Sequence, residues 1–261
     1  MRKTSKGFVP VQQHIRRDIL ISRVARKERF QTVTFKSGRP FDQVLPGLSG
    51  ISRVGNPRTG SKDLFGNPLS SSARIAIAQA AQSVHAKSLR QLSVGRQREY
   101  AYSIDRMTGS KLGFFAGEPD AVKVKTWTGQ SNLVIVHNHP GSLSLSPEDF
   151  LAARRPRISY AMAVDRNGNV YSGRARNSID EDSILDLYDE VYDTVRDYIQ
   201  ITNQQSRTSI DLDSFDFLAT HGTNLNLKNK GVWDYDAKIN SPYYRRFLAQ
   251  WQESINQIAS L

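Results

Sequence analysis

Residues Leu133 to Phe150 read LVIVHNHPGSLSLSPEDF, and the fold turns on that stretch. Its four leading apolar residues, three of them β-branched, predict a buried strand. His137 and His139 follow two apart, so an extended chain points both imidazoles to one side. Pro140 has no N–H for a ladder and ends the strand. After a Gly/Ser loop, Ser146-Pro147-Glu148-Asp149 reads as a helix start, with Ser146 the cap and Pro147 the first helical residue. Asp149 then lies three residues past the cap, on the side of Ser146. Two imidazoles, a carboxylate and a hydroxyl meeting at a strand end and a helix start predict a zinc site with one position open.

Working outward, Ser70–Ser72 offer caps for a helix from Ala73 to about Leu89, with Ile77, Ala80, Ala81 and Val84 on its apolar face. Glu99 opens a strand that runs to Asp105, and Met107–Ser110 turns into a second strand near Leu112–Phe115. Ile158–Val164 and Val170–Ser172 read as a hairpin around the turn Asp165–Asn169. Ile179–Gln200 is an amphipathic helix, with Ile184, Tyr188, Val191, Val195 and Ile199 on one face and acid on the other. Residues 203–241 are polar and Asn-rich, with Trp233 and Tyr235 as anchors onto the body. A last helix is expected over Tyr243–Ile258. His85 reads as a surface or edge residue and His221 as structural, because neither has a ligand-spaced partner.

The string resembles the signature of the JAMM (MPN+, JAB domain) zinc metallopeptidase family: His-x-His-Pro, a short loop, then Ser-x-x-Asp. That resemblance implies a mixed α/β (α+β) fold, a β-sheet flanked by helices of the cytidine-deaminase-like kind. It implies Zn2+ on His137, His139 and Asp149, and an oxyanion role for Ser146. It also calls for an upstream Glu as general base and acid, and Glu99 is the candidate by its place at the start of the first strand after the helix. Glu118 and Asp120 compete, but Gly117-Glu118-Pro119-Asp120 reads as a loop. The chain departs from the family pattern in one respect: six residues separate His139 from Ser146, where seven are usual. The activity implied is zinc-dependent hydrolysis of a peptide or isopeptide-linked protein substrate.

Composition narrows the alternatives. The 261 residues include no Cys, so thiolate metal sites and disulfides are excluded. No apolar run approaches the ~20 residues that cross a bilayer, and no signal-peptide core opens the chain, which predicts a soluble, cytoplasmic protein without a membrane partner. The net charge of +11 is uneven: residues 1–98 carry 19 Lys/Arg against 4 Asp/Glu, and residues 99–261 carry 17 against 21. The expected organisation is a basic, turn-rich arm over 1–69, without sustained periodicity except a short helix within Val11–Lys27. A metallohydrolase domain over 70–175 and a helical extension over 176–261 follow. The arm suits an acidic partner or nucleic acid, or a neighbouring subunit of a homo-oligomer. Two further function classes follow. One is a structural or assembly protein on the same scaffold, including a subunit of a virus or phage particle. The other is a nucleic-acid-associated protein, since RadC-like relatives of the family share His-Asn-His-Pro. A His-Asn-His nuclease is rejected, because those enzymes spread the three residues over a ββα hairpin.

Overall fold

The computed structural model describes residues 30–36, 69–127, 129–176, 180–206 and 209–261. In chain order the elements are β1 (Phe30–Lys36), α1 (Ser71–Leu92), β2 (Tyr100–Asp105), β3 (Lys111–Ala116), β4 (Ala121–Trp127), β5 (Leu133–Asn138), α2 (Pro147–Ala153), β6 (Ile158–Val164) and β7 (Val170–Ala175). They continue with α3 (Glu181–Ser206), α4 (Leu212–Asn229), β8 (Trp233–Lys238), α5 (Pro242–Gln250) and α6 (Gln252–Ile258). The class is mixed α/β, as expected. Six strands form one sheet in the order β3-β2-β5-β6-β7-β8, and β1 pairs with β4 in a separate ribbon. β5 and β6 run parallel, with α2 in the crossover that such a pair requires, and the other pairs are antiparallel.

β5 is buried along its whole length, and its period of two assigns each residue to a layer. Val134 and Val136 face α1, where Ala76, Ile77, Ala80, Ala81 and Val84 pack with Tyr160 and Met162. Leu133 and Ile135 face the other way, onto Ala152 and Ala153 of α2 and onto Val33 and Phe35 of β1. The small residues of α1 let the helix lie close on the sheet. Ser70 caps that helix by accepting from the Ala73 N–H at 3.1 Å.

Several expectations need correction. The stretch 1–69 is not without regular structure: β1 pairs with β4, a strand also absent from the sequence reading. Val122, Val124 and Thr126 of β4 are buried while Lys123 and Lys125 are exposed, so half of this ribbon faces the core. The helix expected within Val11–Lys27 lies outside the described residues. Residues 203–241 hold a further helix, α4, and a strand, β8. Because β8 pairs with β7, the segment after residue 176 is not purely helical and completes the main sheet. The terminal helix is two helices, interrupted at Trp251, where φ is −101° and ψ is 12°. Trp233 and Tyr235 are indeed buried anchors.

The largest core cluster joins both halves of the chain, from Leu145 and Phe150 through α3 and α4 to Ile258. At its centre the Phe150 ring stacks on Trp233, with centroids 3.9 Å apart and planes 5° from parallel. Gly173 of β7 makes room for this stack. A Cβ there would lie 2.3 Å from Phe150 Cε1 and 2.8 Å from Leu145 Cδ1. Gly173→Ala is therefore expected to destabilise the fold by ~1–3 kcal/mol through overpacking, read as a lower urea midpoint at unchanged slope. An unchanged midpoint would mean that the ring can slide aside.

Candidate metal centre

The three residues singled out as metal ligands come together. β5 carries His137, the chain continues extended to His139, and α2 presents Asp149 from its first turn. His137 Nε2 lies 2.9 Å from His139 Nε2. Asp149 Oδ1 is 3.3 Å from His137 Nε2, and Asp149 Oδ2 is 3.2 Å from His139 Nε2. All three side chains are fully buried.

The α2 start holds the carboxylate by a reciprocal cap. Ser146 Oγ accepts from the Asp149 N–H at 3.2 Å, and Asp149 Oδ2 accepts from the Ser146 N–H at 3.0 Å. His139 Nδ1 lies 3.2 Å from the Leu143 carbonyl oxygen, which makes that nitrogen a donor and turns Nε2 toward the cluster. Burial lowers the His137 pKa, so its imidazole is neutral at pH 7. Burial alone would push the Asp149 carboxyl up, but the two imidazoles beside it outweigh that and hold it well below the usual range. Neutral imidazoles and an ionised carboxylate are the forms in which these groups bind a metal.

The spacing fits as well. Ligands ~2.0–2.1 Å from a tetrahedral centre stand about 3.3 Å from one another, close to the separations here. His137, His139 and Asp149 can thus hold a metal ion, their ligand atoms all within 4.8 Å of one another. No family model, curated protein or solved structure matches this chain.

Glu99 is fully buried, whereas its competitors Glu118 and Asp120 are exposed in the turn before β4. Ala101 sits opposite His137 in the β2–β5 register. Two residues earlier, Glu99 shares the face of Ala101 and so the face of both histidines. Its main chain is pinned by two hydrogen bonds to the 117–118 turn, N–H to the Glu118 carbonyl and carbonyl from the Gly117 N–H.

Three features of the site went unread in the sequence. Asn138 clasps the strand beside it: its Oδ1 accepts from the Tyr100 N–H at 2.7 Å, and its Nδ2 donates to the Arg98 carbonyl at 3.1 Å. These bonds flank Glu99 on both sides. Phe35 of β1 lies over His137, with ring centroids 5.1 Å apart. Finally, α4 and β8 grip the loop between the ligands. Asn224 Nδ2 donates to Ser144 Oγ and to the Leu145 carbonyl, Thr220 Oγ1 accepts from the Ser144 N–H, and Ser144 Oγ bonds Tyr235 Oη at 2.8 Å. Only the spacing of His-Asn-His hinted at any of these.

His221 belongs to that grip, with Nδ1 2.7 Å from Tyr235 Oη. It is structural, as expected, while His85 is buried rather than at the surface, its Nε2 3.1 Å from the Arg166 carbonyl oxygen. Burial, helped by the charge of Lys228, lowers the His221 pKa to about 4. The unfolded chain, with His near 6.5, binds the proton first, so His221 makes stability fall as pH drops from ~6.5 to ~4. The size is about 3 kcal/mol at 1.36 kcal/mol per unit. Asp165 opposes it, because burial pushes its carboxyl up to about 6 and its contribution falls as pH rises through the same window. A melt of the wild type alone would therefore conceal both. The stability difference between wild type and His221→Gln isolates the first, and it is expected to rise between pH 4 and 6.5 and to level off above 7. A difference flat in pH would show that His221 is accessible to protons in the folded state.

Proposed function

We propose that this protein is a zinc-dependent peptidase or isopeptidase of the JAMM type. The observation that carries the reading is the buried convergence of His137, His139 and Asp149 at the end of β5 and the start of α2. Zinc is the preferred metal because two imidazoles and one carboxylate, with no fourth protein ligand among the described residues, form a catalytic rather than a structural donor set. When bound, zinc supplies a Lewis-acid centre that polarises a carbonyl and lowers the pKa of a water toward ~7. Glu99, held on the same face, takes a proton from the attacking water and returns it to the leaving amine, acting as base and acid in turn. Asn138 orients Glu99 through the main chain on either side of it. Ser146 keeps Asp149 aimed by the cap and stands at the helix start, where its hydroxyl can meet a developing oxyanion. Among the described residues no helix is long and apolar enough to cross a membrane.

A second reading rests on the cover over the site. The ligands have no exposed surface, and Phe35 lies against His137. On that reading the metal holds β1, α2 and β5 together in a structural or assembly protein, including one of a virus or phage particle. The basic residues 1–69 would then meet an acidic partner, nucleic acid or a neighbouring subunit.

Elemental analysis of protein expressed with zinc is expected to find about one zinc per chain, and none in His137→Ala. Metal-free wild type would overturn both readings. Zinc without hydrolysis of any peptide or ubiquitin-like conjugate would leave the structural one.

A further inference from the structure

A second polar feature lies at the opposite end of the main sheet from the metal centre. His137 and His139 sit at the C-terminal end of the parallel pair β5–β6, whereas this cavity opens where both strands begin. It is an open depression of about 650 Å3. Five arginines line it, Arg106, Arg154, Arg155, Arg174 and Arg176, against one carboxylate, Asp234. They come from separate places in the chain: the end of β2, the end of α2, and β7 with the residue after it. Asp234 is itself engaged by two of them, Arg174 Nε at 2.8 Å and Arg176 Nη2 at 3.1 Å, and Arg155 Nη1 pairs with Glu181 Oε1 at 3.1 Å, so the five cations face two carboxylates.

The setting makes the cluster stand out. Residues 99–261 carry more acid than base, yet five guanidiniums gather on one concave wall. The C-terminal end of α2 accounts for Arg154 and Arg155, since a cation there complements the helix dipole. Asp234 holds Arg174 and Arg176, but one carboxylate does not balance those two together with Arg106. A surplus of guanidinium over carboxylate at one place suits the charge of phosphate, whose oxygens a guanidinium fork can meet in pairs. The wall is mainly polar, which suits a charged ligand better than an apolar one.

We propose that this cavity binds a multiply charged phosphate group, either a free polyphosphate-bearing small molecule or the phosphodiester backbone of a nucleic acid. The site is independent of the metal and of any hydrolysis.

The test compares full-length wild type with the pair Arg106→Gln and Arg176→Gln. These side chains can be changed without touching their main-chain anchors, Arg106 N–H to the Asn132 carbonyl and Arg176 N–H to the Val232 carbonyl. Asp234 stays held by Arg174. The basic residues 1–69 are present in both proteins, so their binding cancels in the comparison. Inorganic pyrophosphate, followed by phosphorus NMR at fixed salt, is expected to bind the wild type saturably and the pair roughly tenfold more weakly or worse. The lysine pair, Arg106→Lys with Arg176→Lys, keeps the charge but not the fork and is expected to fall between them. A short single-stranded oligothymidylate separates the sources. A parallel loss of its binding points to a nucleic-acid backbone, and oligonucleotide binding unchanged beside a loss for pyrophosphate points to a small ligand. Equal pyrophosphate affinity in wild type and a folded glutamine pair overturns the proposal, as does the lack of saturable pyrophosphate binding to the wild type.

Discussion

Truncating Phe150 to alanine is expected to destabilise the protein by ~3–5 kcal/mol, the range for removing a fully buried aromatic ring. Phe150 has no exposed surface, and its ring is the contact by which α2 meets Trp233 of β8. The cavity left behind cannot close easily, because Gly173 offers no side chain to fill it. The same helix carries Asp149 one residue earlier, so the loss reaches the metal centre. Urea unfolding should show the destabilisation with and without zinc, and zinc affinity should fall in the same variant. A loss below ~1 kcal/mol would mean that the stack follows the packing instead of holding it.

Glu99→Gln is expected to retain zinc and fold while lowering peptide or isopeptide hydrolysis by ~100-fold or more. Glutamine keeps the size and reach of the side chain and removes only its basicity. The Asn138 clasp acts on the main chain at Arg98 and Tyr100, so the substitution leaves it intact. Zinc content and the melting curve of the variant must match wild type for the comparison to report on proton transfer. Full activity in this variant would sink the assignment of Glu99 as the base.

The metal cluster was legible in the sequence because its rules are local. Alternation along a strand puts His137 and His139 on one side, and a Ser-Pro helix start fixes Asp149 relative to Ser146. The main helices α1 and α3 were legible for a similar reason: their buried residues recur with a helical period. β4 was equally readable, since Val122, Val124 and Thr126 alternate with lysines. α4 was hidden for a physical reason. Its inward face carries Thr220, His221, Asn224 and Asn226, polar groups whose partners include the ligand loop and the Ile258 carbonyl. An apolar period cannot reveal a helix that is buried through hydrogen bonds. The partner of β1, β4, lies far along the chain, so nothing near Phe35 announced that it would cover His137. The mixed sheet could be expected, but the return of β8 to its edge could not, because strand pairing across α3 and α4 leaves no local mark.

The ligand loop also dictates where this chain can change length. Every residue from Pro140 to Ser146 is buried, and the Leu143 carbonyl, the N–H and hydroxyl of Ser144 and the Leu145 carbonyl are engaged by named partners. An inserted residue would have nowhere to bulge and would shift Asp149 relative to His139, so the loop works as a ruler between the two ligands. The segment Ser93–Gln97 is the reverse. It is largely exposed, and Gly95 meets open space where a Cβ would be. An epitope tag or a fluorophore-bearing peptide belongs there, and not on the loop that bears the metal.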